Sequence, residues 1–161
     1  MPGPKGTPDA HVRPSVLEDV EFLAPRMRVE DVAEVEAYSG RGAHHALLNG
    51  FEHSTLCRTG LYKDEPCLMF GAGQVFPDVG MVWMLGSDAM VDARVSILRQ
   101  SRGWIDELHS EFRLLFNYVD ARNEVHIKWL RWLGFSFINL HPEFGVGRLP
   151  FYEIVRIADH V

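Results

Sequence analysis

His44, His45, His53 and Cys57 are of the residue types that ligate metals. Their spacing matches no standard zinc template and no Cys-x-x-Cys pair accompanies them, so no metal centre is expected. Serine hydrolase chemistry is also unsupported, because the sequence lacks the G-x-S-x-G elbow that would present the nucleophile. Cys57 and Cys67 flank a hairpin turn unequally, would not face each other in simple register, and are not expected to pair. The polar residues that stand out are those embedded in an apolar stretch, LLFNYVDARNEVHIKWLRWLGF over residues 114–135. It contains Tyr118, a polar turn of Asp120, Arg122 and Asn123, and His126.

The periodicity of that stretch says what positions them. Residues 114–119 are apolar and aromatic, as suits a central strand covered on both faces. From Glu124 the apolar positions fall at helical spacing as Val125, Trp129 and Trp132, with Ile127, Leu130 and Leu133 alongside, and Gly134 supplies a left-handed stop. Upstream, residues 10–13 read as a short strand, and Ser15 with Glu18 fits a capping box opening a helix that breaks near Pro25. A helix over residues 29–38 places Val32 and Val35 on one side and Glu30, Glu34 and Glu36 on the other. Residues 43–49 form another helix, ended by Gly50.

Residues 55–62 and 66–76 flank the polar turn Lys63, Asp64 and Glu65 and predict an antiparallel hairpin. Gly71 and Gly73 within its second strand suggest a bulge or close backbone approach. Residues 79–85 are a third strand, and residues 91–112 a long helix with apolar residues at three- and four-residue steps, in which Gly103 costs about 1 kcal/mol relative to alanine. Residues 135–140 and 151–157 are closing strands. The strand, helix, strand passage over residues 79–119 implies a right-handed parallel crossover, so the sheet is mixed.

With 161 residues, 47% apolar and 24% charged, the chain has the size and composition of one globular domain. Residues 1–9 are read as a flexible tail and residues 10–161 as that domain. A net charge of -6 excludes broad nucleic-acid binding, which needs a basic face. Arg94, Arg99 and Arg102, and Lys128 with Arg131, read as solvated helix faces. Trp83, Trp104, Trp129 and Trp132 suit a core or a protein interface. The N-terminal residues lack an apolar signal segment, and no run is long enough to span a membrane, so a reducing cytosolic compartment is expected.

The element order and the last helix together resemble the GNAT (Gcn5-related N-acetyltransferase) fold over about residues 11–157. Members of that family often carry, in the last helix, Asn, a small residue three on, an apolar residue six on, Tyr seven on and Gly-Phe eleven and twelve on. Asn123, His126, Trp129, Leu130, Gly134 and Phe135 stand at those positions. The resemblance implies a mixed, mainly antiparallel sheet of six to seven strands flanked by about four helices. It also implies that residues 83–85 splay from residues 117–119 to admit the thioester arm of acetyl-CoA, with Met84, Leu85, Ser87 and Asn123 as coenzyme-binding residues. The coenzyme diphosphate would sit on the turn after residue 85. There the family's R/Q-x-x-G-x-G/A pattern is reduced to a single glycine, Gly86, with Asp88 and Asp92 nearby. Leu130 stands where the family's tyrosine protonates the leaving thiolate, so Tyr118 and His126 are the catalytic candidates the resemblance leaves.

A narrower similarity is to a small GNAT-like internal virion or assembly protein of short-tailed bacteriophages. It is carried by Arg13, Pro14, Asn117, Tyr118, Val119, Asn123, His126, Ile127, Trp129, Leu130 and Gly134. It implies a virion or assembly protein with a weak or lost acyl-CoA site, other virion proteins or a second copy of the chain as partners, and location in the host cytoplasm and then the virion. The alternative is an active N-acetyltransferase acting on a host or phage amine.

Overall fold

The structure, a computed structural model, describes residues 10–159; the first nine residues, read as a tail, lie outside the described residues. Its elements in order are β1 (His11–Pro14), α1 (Leu17–Leu23), a short 3-10 turn (Ala24–Arg26), α2 (Val29–Ser39), α3 (Ala43–His53), β2 (Leu56–Tyr62), β3 (Glu65–Phe76) and β4 (Val79–Gly86). There follow α4 (Ala89–Asp92), α5 (Arg94–Glu111), β5 (Leu114–Asp120), α6 (Glu124–Trp132), β6 (Ser136–Phe144) and β7 (Leu149–Ile157). Seven strands form one sheet in the order β1-β2-β3-β4-β5-β7-β6. All neighbours are antiparallel except β4 and β5, which run parallel as the crossover requires. This is the expected mixed sheet with six helices rather than four.

The separate helix α4, and the ends of two others, have local causes. The helix expected over residues 91–112 is broken at Ala93, whose φ of -89° and ψ of 9° leave helical geometry while its amide still reaches Ala89 O. At the other end, Ser15 does not cap α1. Its hydroxyl bonds to Thr59 Oγ1 at 2.7 Å, and the Asp19 carboxylate instead accepts from the Val16 amide at 2.9 Å. Gly50 does not end α3, which runs on to His53. It is small because the Trp83 ring lies against it, with a Cβ there falling 2.6 Å from that ring.

The sheet has a core on each face. Val20, Leu23, Met27, Leu47, Met69 and Leu85 pack α1 and α3 against one side. Leu68, Phe70, Ile97, Trp104, Leu108, Leu115 and Val119 pack α5 and α6 against the other. Alternation along β3, with Met69 on one face and Leu68 and Phe70 on the other, is what a strand covered on both sides demands. Gly71 and Gly73 permit the close approach read from sequence: a Cβ would meet Leu56 O at 2.4 Å and His53 O at 2.8 Å. Cys57 and Cys67 are free thiols, and burial pushes the Cys67 thiol up to about 11.

Candidate functional site

The pairing of β4 with β5 lasts only from Val79, Gly80 and Met81 opposite Leu114, Leu115 and Phe116. Beyond it the strands diverge, and a cleft of about 390 Å³ opens between them. Met84 and Leu85 line it from β4, Tyr118 from β5, and Tyr38, Asn49 and His53 from the helices on one face. Trp104 of α5, with His126, Trp129 and Leu130 of α6, lines it from the other.

Backbone groups of residues two apart in a strand point to the same edge. On β4 the edge facing β5 is therefore presented by Gly80, Val82, Met84 and Gly86. Val82 O accepts from Asn117 Nδ2 at 2.5 Å, while Asn117 Oδ1 accepts from the Tyr118 amide at 2.7 Å. The Asn117 carboxamide thus serves as a rung where the backbone ladder has stopped. Gly86 O accepts from the Arg28 amide at 2.8 Å, and the Gly86 amide donates to Asp31 Oδ2 at 3.0 Å. Met84 is left between these two closures, facing the cleft.

The second closure is a buried ionic cluster that straddles the splay. Asp31 and Glu34, one turn apart on α2, each take a strand end: Asp31 holds Gly86 of β4, and Glu34 Oε2 accepts from the Asp120 amide of β5 at 3.0 Å. Arg28 Nη1 donates to Asp31 Oδ1 at 2.8 Å. From α6, Asn123 Nδ2 donates to Asp31 Oδ1 at 3.0 Å and to Glu34 Oε1 at 2.7 Å. The His126 ring lies between the carboxylates, with Nε2 3.3 Å from Asp31 Oδ1 and Nδ1 3.6 Å from Glu34 Oε1. Asp31, Asn123 and Arg28 are 0%, 1% and 3% exposed. Burial works against the imidazolium, but the two carboxylates outweigh it and the His126 pKa is raised. Arg28 and His126 thus face Asp31 and Glu34 within one largely buried cluster.

Asp31, Glu34 and His126 also offer three metal-ligating atoms within 4.8 Å of one another. Their oxygens are already engaged: Asp31 Oδ1 takes Arg28 and Asn123, and Glu34 Oε1 takes Asn123. The donor set is that of a self-neutralised cluster.

The candidates named from sequence divide accordingly. Tyr118, Met84 and Leu85 line the cleft, and His126 lies on its wall within the ionic cluster. Asn123 is a bridge between α6 and α2. Ser87 is turned inward, its amide and hydroxyl both directed at Cys67 O. Three expectations are corrected. Glu34 faces inward and not with Glu30 and Glu36, because the Asp120 amide and Asn123 lie on that side. On α6, Val125 and Trp132 are 43% and 48% exposed, since the inner face is taken by His126, Trp129, Leu130 and Leu133. Trp132 is covered instead by the Arg102 guanidinium, 4.5 Å above its ring.

Sequence reasoning missed Arg28 and Asp31, and it named Glu34 and Asn117 without the strand-closing roles they have here. An Asp-x-x-Glu pair in a helix reads as a solvated face, and only the three-dimensional meeting of α2 with α6 reveals its use. Trp129 was read as packing; its buried indole N–H has no hydrogen-bond partner among the described residues.

No family model and no curated protein matches the sequence. The fold does have solved counterparts. Ard1 from Thermoplasma volcanium aligns with a TM-score of 0.70 at 12% identity, over 92% of this chain and 97% of that one. A yncA acetyltransferase from Salmonella typhimurium, solved with its cofactor acetyl-CoA, aligns with a TM-score of 0.70 at 12% identity over 96% of each chain. A ribosomal-protein-alanine N-acetyltransferase from Brucella melitensis gives 0.67 at 12% identity, over 92% and 99%. The chain therefore has the GNAT acetyltransferase fold, and identity at this level carries the fold alone.

Proposed function

We propose that the chain is an N-acyltransferase that takes an acyl thioester in the β4/β5 cleft and passes its acyl group to an amine. The observation that carries this reading is the opening of the sheet after Met81, which leaves Met84 and Tyr118 on opposite walls of a cleft of about 390 Å³. An amine nitrogen attacks the thioester carbonyl carbon; the C–N bond forms and the C–S bond breaks. Tyr118 supplies a proton to the departing sulfur, in the role Leu130 cannot fill, and recovers one from the attacking amine, which sheds it as the amide forms. The indole N–H of Trp129 is a donor available to the carbonyl oxygen as it gains charge. His126, set between Asp31 and Glu34, fastens α6 to α2 rather than acting as the base.

Acetyl-CoA and S-acetylpantetheine, each titrated by calorimetry and then followed by thiol release with an amine panel, test the reading. Submillimolar binding of either thioester, with turnover that Tyr118→Phe lowers by about 100-fold, supports it, and absence of binding and turnover with both thioesters overturns it.

A second reading is a virion or assembly protein that keeps this scaffold with a weak acyl-CoA site. The engaged edge of β4 and Leu130 in place of tyrosine favour it. Recovery of the protein at fixed copy number from purified particles, with no thioester binding, supports that reading over transfer.

A further inference from the structure

We infer that the acyl donor of this cleft is a thioester on a pantetheine-type arm that does not carry an adenosine diphosphate. This rests on the acyl-transfer reading above and narrows its substrate.

Acetyl-CoA is the donor that the fold would suggest, and its thioester end fits the cleft, but its diphosphate does not fit this chain. A diphosphate is held where a turn leads into a helix with backbone amides free to donate. In the turn after β4, five of the six amides over residues 86–91 are spent internally. The Gly86 amide donates to Asp31, the Ser87 amide to Cys67 O, the Ala89 amide to Ser87 Oγ, the Met90 amide to Ser87 O and the Val91 amide to Asp88 O. The following helix, α4, has only four residues and carries Asp92 in its first turn, with Asp88 just before it.

The neighbouring charges oppose a diphosphate as well. Asp31 and Glu34 close the same end of the splay, with Asp120 buried beside them. Arg28 is occupied by Asp31 and Arg122 by the Asp120 carboxylate at 2.6 Å, while Arg94, at the start of α5, donates to Val91 O at 3.0 Å. Two added phosphate charges would meet this surface in a partly desolvated setting, where like charges repel far more than in water. An arm running along β4 beyond Met84 would also have to displace Arg28 and Asp31 from Gly86. An arm that ends short of that point meets neither obstacle. In transfer from it, the amide C–N bond replaces the thioester C–S bond and the pantetheine thiol leaves with the proton.

Such an arm can be a free small thioester, which carries no phosphate, or the prosthetic arm of a carrier protein, whose single phosphodiester brings one negative charge in place of a diphosphate. Calorimetry with the full-length chain would compare acetyl-CoA, S-acetylpantetheine and an acetylated holo carrier protein. The inference predicts that S-acetylpantetheine binds within about threefold of acetyl-CoA or more tightly. Tighter binding of the acetylated carrier than of S-acetylpantetheine would assign the carrier as source; weaker binding would assign the free thioester. Acetyl-CoA binding at least tenfold more tightly than S-acetylpantetheine would overturn the inference and leave acyl transfer standing. Failure of all three to bind would overturn the acyl-transfer reading, and this inference with it.

Discussion

Asp31 accepts a hydrogen bond from the Gly86 amide at 3.0 Å, so a side chain of α2 terminates the open edge of β4. One helical turn further on, Glu34 does the same for β5 through the Asp120 amide. The carboxylate spacing on one face of α2 thereby fixes how far apart the two strands end. Asn123 and His126 then anchor that face to α6.

Removing Asp31 should be among the most damaging single changes. In Asp31→Ala, the buried Arg28 guanidinium keeps only the exposed Glu30, 3.4 Å away, as counter-ion, and the Gly86 amide loses its acceptor. Breaking a buried pair from one side costs about 3–5 kcal/mol. Chemical denaturation should show a loss of that size, whereas Glu30→Ala, at the solvent end of the same helix, should change stability by less than about 0.5 kcal/mol.

The His126 pKa is raised in the folded chain by Asp31 and Glu34, against the opposing effect of burial. A raised value means that the folded state holds the proton more tightly than the unfolded one. Its stabilising contribution is complete below the unfolded value of about 6.5 and fades as pH climbs through the folded one. Stability should therefore fall across that window, and His126→Gln should flatten the fall. Denaturation midpoints measured from pH 5.5 to 9 check this.

Two glycines inside helices should respond oppositely to alanine. A Cβ on Gly103 meets nothing within 4 Å, so Gly103→Ala should stabilise α5 by about 0.5–1 kcal/mol. A Cβ on Gly50 falls 2.6 Å from the Trp83 ring, so Gly50→Ala should cost about 1–3 kcal/mol through overpacking. Thermal melts of the two variants give the signs directly.

Tyr118→Phe keeps the ring that stacks on Phe144 at 4.4 Å between centroids. It removes the hydroxyl alone. Turnover should drop by about 100-fold, in the range of a lost general acid, with the affinity for the acyl donor unchanged. Steady-state thiol release set beside calorimetry separates the two quantities.

The sheet was largely legible because its signals are local. Lys63 and Asp64, at φ of 53° and 66°, make the left-handed turn that the polar step between two apolar runs announces. Gly134, at φ of 88°, ends α6 where it was read to do so. Tyr118, Met84 and Leu85 line the cleft that the family resemblance implies between residues 83–85 and 117–119. The ionic cluster was not legible, since Asn123 and Asp31 are 92 residues apart and each is an ordinary surface residue by type. Ser15 misled for a related reason: a partner from β2, Thr59, claimed the hydroxyl that a local reading assigned to the helix end.

The central claim is that the thioester lies in the splay of β4 and β5, against the one stretch of β4 edge that the protein leaves unclosed. Backbone amide NMR during titration with S-acetylpantetheine tests this most directly. The largest shifts should fall on Met84, its neighbours Trp83 and Leu85, and Tyr118, with the side-chain signals of Asn117 and Trp129 moving alongside. Shifts confined to another face of the molecule, with Met84 and Tyr118 unmoved at saturation, would contradict the account.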